Sequence, residues 1–211
     1  MGGESHRPRT RDPVETRRSI LDAAFGEFYA RGFQGAGLDA IVSRAGVTTG
    51  ALYHHFPDKA ALGYAVVEEV IRGPILEAYL GPLREAGDPL AALQDTLRRR
   101  ADDFIDIGIR YGCPLNNLTQ EMVPLDDGFR DRVAATLREW TDGIADALRS
   151  ARDRGTVRPD VDADRVAAFV VASVEGAFGM AKAADSVDVL RSHLELLADF
   201  LDTLRPGRPA T

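Results

Sequence analysis

Residues 46 to 59, Gly46-Val47-Thr48-Thr49-Gly50-Ala51-Leu52-Tyr53-His54-His55-Phe56-Pro57-Asp58-Lys59, gather more polar chemistry than any other stretch of the chain. Two threonine hydroxyls, a phenol, two imidazoles and an ammonium can hydrogen-bond phosphate oxygens and the edges of bases. The same imidazoles would suit a metal or a catalytic base only with thiolate or carboxylate partners at ligand spacing. Just two further histidines, His6 and His193, and one cysteine, Cys113, exist elsewhere, so neither use is supported. No phosphate-cradling glycine loop and no nucleophile–base pairing stands out. Catalytic residues, metal ligands and cofactors are therefore all expected to be none, and an enzyme is not expected.

The elements that must position these side chains can be read outward from them. Leu38, Ile41, Val42 and Ala45 fall at helical spacing, and Gly46 stands where a helix wants a left-handed residue past its end. A second short helix follows, with Ala51, Leu52 and Phe56 for packing and its other side polar. A helix so short is stable only against neighbours. Helix, glycine turn, short helix is a helix-turn-helix, whose second helix enters a DNA major groove. Pro57 stops it and Asp58 caps the next helix.

At these positions the chain resembles the TetR family of bacterial transcriptional regulators. The matching residues are Gly32-Phe33, Ile41, Ala45-Gly46-Val47-Thr48, Gly50, Leu52-Tyr53, His55-Phe56 and Lys59, within a region of about 14 to 70. The resemblance implies an all-α fold of about nine helices: a three-helix DNA-binding domain, then a helical ligand-binding and dimerisation domain. It assigns DNA contacts to Arg44, Thr48, Thr49, Gly50, Tyr53, His54, His55 and Lys59, with His54 reading bases and Lys59 anchoring phosphate. Ala36-Gly37 departs from the family's usual Thr or Ser before the second helix, which removes one hydroxyl able to cap and to touch phosphate.

Composition sets the bounds. The 211 residues are ordinary in apolar content, and one cysteine fits a reducing cytoplasm. No apolar run approaches the ~20 residues of a membrane span, and the N-terminus lacks the apolar stretch of a secretory signal. The net charge of −7 is unevenly placed. Residues 1 to 59 carry eight Lys/Arg against seven Asp/Glu, a net +1, and the remainder eighteen against twenty-six, a net −8.

The expected domains are a basic tail over 1–11 with Arg7, Arg9 and Arg11, a DNA-binding domain over 12–57, a second domain over 58–205, and a tail over 206–211. The tail arginines either stay solvated or reach DNA. Asp12-Pro13-Val14-Glu15 reads as a helix start. Gly73-Pro74 is expected to kink or break the fourth helix. A fifth helix is expected from Asp88-Pro89 to about Tyr111, with Arg98-Arg99-Arg100 on a solvated face. Further helices are expected at about 115–122, 126–154, 162–181 and 187–204.

The last two helices carry the expected dimer interface, through Val170, Val174, Ala177, Phe178, Leu190, Leu194, Leu197 and Leu201. The last helix shows two apolar stripes, Leu190, Leu194, Leu197, Leu201 and Leu204 on one and Val189, Leu196 and Phe200 on the other, one for the domain core and one for a second copy. A ligand pocket between helices is expected from Phe104, Gly108, Tyr111, Cys113, Asn116, Asn117, Gln120, Trp140, Phe169, Ser173 and Glu175. The reading is a homodimeric cytoplasmic repressor released from a palindromic double-stranded operator by a small molecule, with no membrane partner. The alternative is a DNA-binding regulator without an inducer, either an activator or one partnered by a protein.

Overall fold

The computed structural model describes residues 12–105 and 109–207, and these form helices and connecting loops with no strand. The N-terminal tail and Gly108 lie outside the described residues. The chain divides into two compact units, with the boundary between Val66 and Val67.

In the first unit, α1 (Pro13–Arg31) starts as its sequence dictates: Asp12 accepts the Val14 amide at 2.9 Å, and Pro13 occupies the first turn, where no amide donor is needed. α2 (Leu38–Ala45) ends at Gly46, whose φ of 62° places it in the left-handed region that favours glycine. Thr48 caps α3 (Thr49–His55) by accepting the Ala51 amide at 3.1 Å, and Asp58 caps α4 (Lys59–Ala65) through the Ala61 amide at 2.7 Å. The core joins Ile20, Ala24 and Phe28 of α1 to Ile41, Leu52, Phe56 and Leu62, all buried. The loop residue Ala36 is buried as well, so the departure at Ala36-Gly37 serves packing. Gly37 starts α2 with no side-chain cap.

The expected break at Gly73-Pro74 does not occur. α4 runs into a π-helical turn (Val66–Ile71) and then α5 (Arg72–Leu80), so helical backbone is continuous over 59–80. Pro74 supplies no amide to this run, and the wider π-helical turn just before it accommodates the proline without ending the helix. Counted with this run as one, the described residues hold nine helices.

The remaining helices are α6 (Pro89–Arg100), α7 (Pro114–Glu121), α8 (Asp127–Asp153), α9 (Ala163–Ala184) and α10 (Val187–Asp202). α6 ends eleven residues before the expected Tyr111, passing into a short 3-10 turn (Asp102–Phe104). Within the second unit α10 packs on α6 and α9, and α8 packs on α5, α6, α7 and α9. Buried Gln94 of α6 donates to the Ala198 carbonyl of α10 at 2.9 Å, and Arg205 pairs with Asp88 at 2.8 Å. Ion pairs Arg72–Glu139 (2.6 Å) and Arg132–Glu68 (2.8 Å) tie the π turn and α5 to α8.

By length and composition α9 could cross a membrane, contrary to the reading that no apolar run approaches that length. Its Ala167, Val170, Val174 and Ala177 instead fill the core between α8 and α10, and it carries Glu175 and Lys182. A core helix needs this composition on its inner side.

Candidate functional site

The first unit offers a polar face built on α3. Leu52 is fully buried and Phe56 nearly so, and these fix the rotation of the helix. Thr48, Thr49, Gly50, Tyr53 and His54 are consequently exposed together. Tyr53 is 49% exposed, which removes a core tyrosine as its role. A Cβ on Gly50 would meet only the Thr48 hydroxyl oxygen, at 3.9 Å. The fold does not require glycine there, and the missing side chain leaves the backbone open to close approach by a partner. The Thr48 hydroxyl oxygen accepts the Ala51 amide, which leaves its own proton to donate.

Basic groups rim this face. His55 lies edge-on to His54 with ring centroids 5.3 Å apart. Its pKa is lowered, chiefly by desolvation and further by the neighbouring charges of His54 and Arg17. The Lys59 ammonium donates to the Gln34 carbonyl at 3.3 Å and lies 4.8 Å from the centre of the Phe33 ring. A cation in the first turn of a helix opposes the helix dipole, and the Gln34 carbonyl and the Phe33 ring offset that cost. Arg44 is anchored: Nη1 is 3.4 Å from buried Glu27, and the guanidinium rests on Gly26, where a Cβ would come within 2.8 Å of Cζ. Arg17 of α1 lies 4.5 Å from the Phe56 ring centre and beside His55. Sequence reasoning missed Arg17, because only tertiary packing brings it to α3.

In the second unit the structure splits the expected pocket residues. Phe104, Cys113 and Trp140 are buried, and Glu175, Asn116, Asn117 and Ser173 are half-buried. Tyr111 and Gln120 are exposed, and Phe169 is 51% exposed against Phe200, with ring centroids 5.1 Å apart. Phe169 thus turns away from the interior, because α9 presents that side outward.

The interior members form a cluster with Tyr79, Arg100, Asp103 and Phe178, which lie outside the expected set. Cys113 Sγ donates to Glu175 Oε1 at 3.3 Å, and Asn116 donates to the Glu175 carbonyl at 2.9 Å. Tyr79 packs on Trp140 with ring centroids 4.4 Å apart, and its hydroxyl accepts from Arg100 Nε at 3.3 Å. The Arg100 guanidinium lies over both Tyr79 and Phe104, pairs with Asp103, and Phe104 meets Phe178 edge-on. Arg100 is therefore not on a solvated face. Three consecutive helical residues point about 100° apart, so a triple arginine on a packed helix turns one member inward. Burial raises the Glu175 pKa to about 7 and pushes the Cys113 thiol and Tyr79 phenol well above their usual ranges. Charge on Glu175 adds to the effect on Cys113, which is thus a protonated thiol. Among the described residues no group of three or more His, Cys, Asp or Glu is placed to hold a metal.

The eight residues expected at a dimer interface all lie in the interior of the single chain. The outward side of α9 and α10 shows Phe169, Met180, Leu196 and Phe200 instead.

A helix-turn-helix with an exposed polar second helix, joined to a larger all-helical unit, defines a DNA-binding regulator of transcription. Two family models match in chain order: bacterial regulatory proteins of the tetR family over 20–66, and the tetracyclin repressor-like C-terminal domain over 89–197. The transcriptional regulator AcuR of Cereibacter sphaeroides is 31% identical over 92% of this chain and 84% of its own length. The transcriptional repressor DhaR of a Mycobacterium species is 27% identical, over 79% of this chain and 81% of its own. The crystal structure of a TetR regulatory protein from Rhodobacter sphaeroides superposes with a TM-score of 0.78 at 29% identity, covering 87% of this chain and 97% of that one. The chain belongs to the TetR family of DNA-binding transcriptional regulators.

Proposed function

We propose that this protein is a homodimeric repressor that binds a palindromic operator in the cytoplasm and leaves it when a small molecule occupies the second unit. The observation that carries the DNA-binding half is the α3 face: Thr48, Thr49, Gly50, Tyr53 and His54 exposed together over buried Leu52, with Arg17, Arg44, His55 and Lys59 at its rim. In this reading Tyr53, Thr48, His55 and Lys59 hold phosphates and set register, while Thr49 and His54 reach base edges. Two copies of α3 read half-sites about one helical turn apart. Support for two copies comes from the outward apolar side of α9 and α10. Repression is favoured over activation because the relative DhaR is a transcriptional repressor. Helical backbone is continuous over 59–80, so a displacement of its C-terminal end by a ligand reaches α4 along the helix. The ligand acts only through its differential affinity for the two states.

The test is fluorescence anisotropy of the purified protein on DNA flanking its own gene, with competitor DNA, beside Tyr53→Ala. Sequence-specific binding that the substitution weakens by about tenfold or more is expected, as for loss of a contact of about 1–3 kcal/mol. Equal binding by Tyr53→Ala would remove α3 as the reading helix.

A further inference from the structure

Among the described residues of the second unit, the Trp140 indole Nε1 and Glu175 Oε2 are buried without a hydrogen-bond partner. Trp140 is 1% exposed. Such groups normally find partners, and a buried polar atom left alone is costly, so both require an explanation. They belong to one cluster. Tyr79 stacks on Trp140, Arg100 bridges Tyr79 to Phe104, and Phe104 meets Phe178, which stands one turn along α9 from Glu175. The other groups are already committed: Cys113 to Glu175 Oε1, Asn116 to the Glu175 carbonyl, and Arg100 to Tyr79 and Asp103. The surroundings are aromatic: Tyr79, Trp140, Phe104 and Phe178.

The charges present restrict what such a site accepts. An anion would face the Glu175 carboxyl, and no uncommitted cation of the cluster is there to receive it. A cation would meet Arg100, whose guanidinium already covers the faces of Tyr79 and Phe104. A charged group would also have to shed its water in apolar surroundings. An uncharged molecule with a flat apolar body meets neither objection. The indole N–H can only donate, so the molecule must offer an acceptor there, and the open oxygen of Glu175 wants a donor.

We propose that the effector is a neutral, aromatic-bodied molecule bearing a hydroxyl or similar group, which donates to Glu175 Oε2 and accepts from Trp140 Nε1. This rests on the ligand-responsive reading above and specifies its ligand class. The full-length protein carries its own reporter, because Trp140 is the single tryptophan. Three probes share one ring and differ in charge: phenol, benzoate and benzylammonium. Titrated near pH 8, phenol is expected to change Trp140 fluorescence saturably and to bind at least about tenfold tighter than either ion. Glu175→Ala is expected to weaken phenol by about tenfold. Should that variant fail to fold, Glu175→Gln serves: wild-type affinity for phenol is expected to rise between pH 6 and 8 as the carboxyl ionises, and the variant's to stay flat. Benzoate or benzylammonium binding as tightly as phenol overturns the ligand class and leaves the pocket reading standing. Phenol binding that is indifferent to Glu175 overturns the site. Saturable binding by none of the three overturns the ligand class and the site; the ligand-responsive reading falls separately if no small molecule releases the protein from its operator.

Discussion

Glu175 shows how one residue's surroundings set its chemistry. In the middle of α9 its carboxyl accepts from the Cys113 thiol, and burial raises its pKa to about 7 from an ordinary 4.5. In the unfolded chain it ionises near its ordinary value. Between pH 4.5 and about 7 the folded state therefore holds a proton that the unfolded state has lost, and stability falls as pH rises through that window. The loss is at most roughly 3.5 kcal/mol, because each pH unit separating the folded and unfolded values is worth about 1.4 kcal/mol. Glu175→Gln is expected to flatten this part of the stability curve and to gain relative to wild type at pH 8. Parallel melting curves for the two proteins across the window, with the same slope, would refute the assignment.

At the scale of the element, α3 depends on its cap. Seven residues make too short a helix to stand alone, and the Thr48 hydroxyl satisfies an amide that would otherwise lack a partner. Thr48→Ala is expected to cost about 1 kcal/mol of stability, measured by urea unfolding, together with operator affinity. Thr48→Asp separates the two roles. A carboxylate caps as well as threonine, so stability returns, but its charge repels phosphate and affinity does not. Recovery of DNA binding in Thr48→Asp would show that Thr48 acts only as a cap.

At the scale of the whole molecule, the outward side of α9 and α10 calls for a cover. Phe169, Met180, Leu196 and Phe200 are large apolar side chains left in solvent, on helices whose other stripe is already buried. A second copy seated there would desolvate them twice over by symmetry. Phe200→Glu is expected to raise the dimer dissociation constant by at least about tenfold, since burying one such ring contributes about 1.5–3 kcal/mol. Sedimentation velocity over a concentration series reads this directly, and operator affinity should fall in step. An unchanged dimer in Phe200→Glu would move the interface elsewhere.

What the sequence determined by itself is local. Asp12, Thr48 and Asp58 start helices and Gly46 ends one, because a cap or a left-handed glycine acts within a turn of its own position. The same short range made the helix-turn-helix and its exposed Tyr53 and His54 legible, since Leu52 and Phe56 leave only one side of α3 to face out. The tertiary structure decided everything that depends on how separate helices turn against each other. The apolar residues of α9 and the two stripes of α10 carried no local sign of which faced inward, and Val174 and Leu194 went in while Phe169 and Leu196 went out. Arg100 among three arginines, Arg17 beside α3, and the meeting of Trp140, Tyr79 and Glu175 arose likewise from packing. Periodicity records that a helix has an apolar face, but the rotation and register that give the face its partner are set by contacts between residues far apart in the chain.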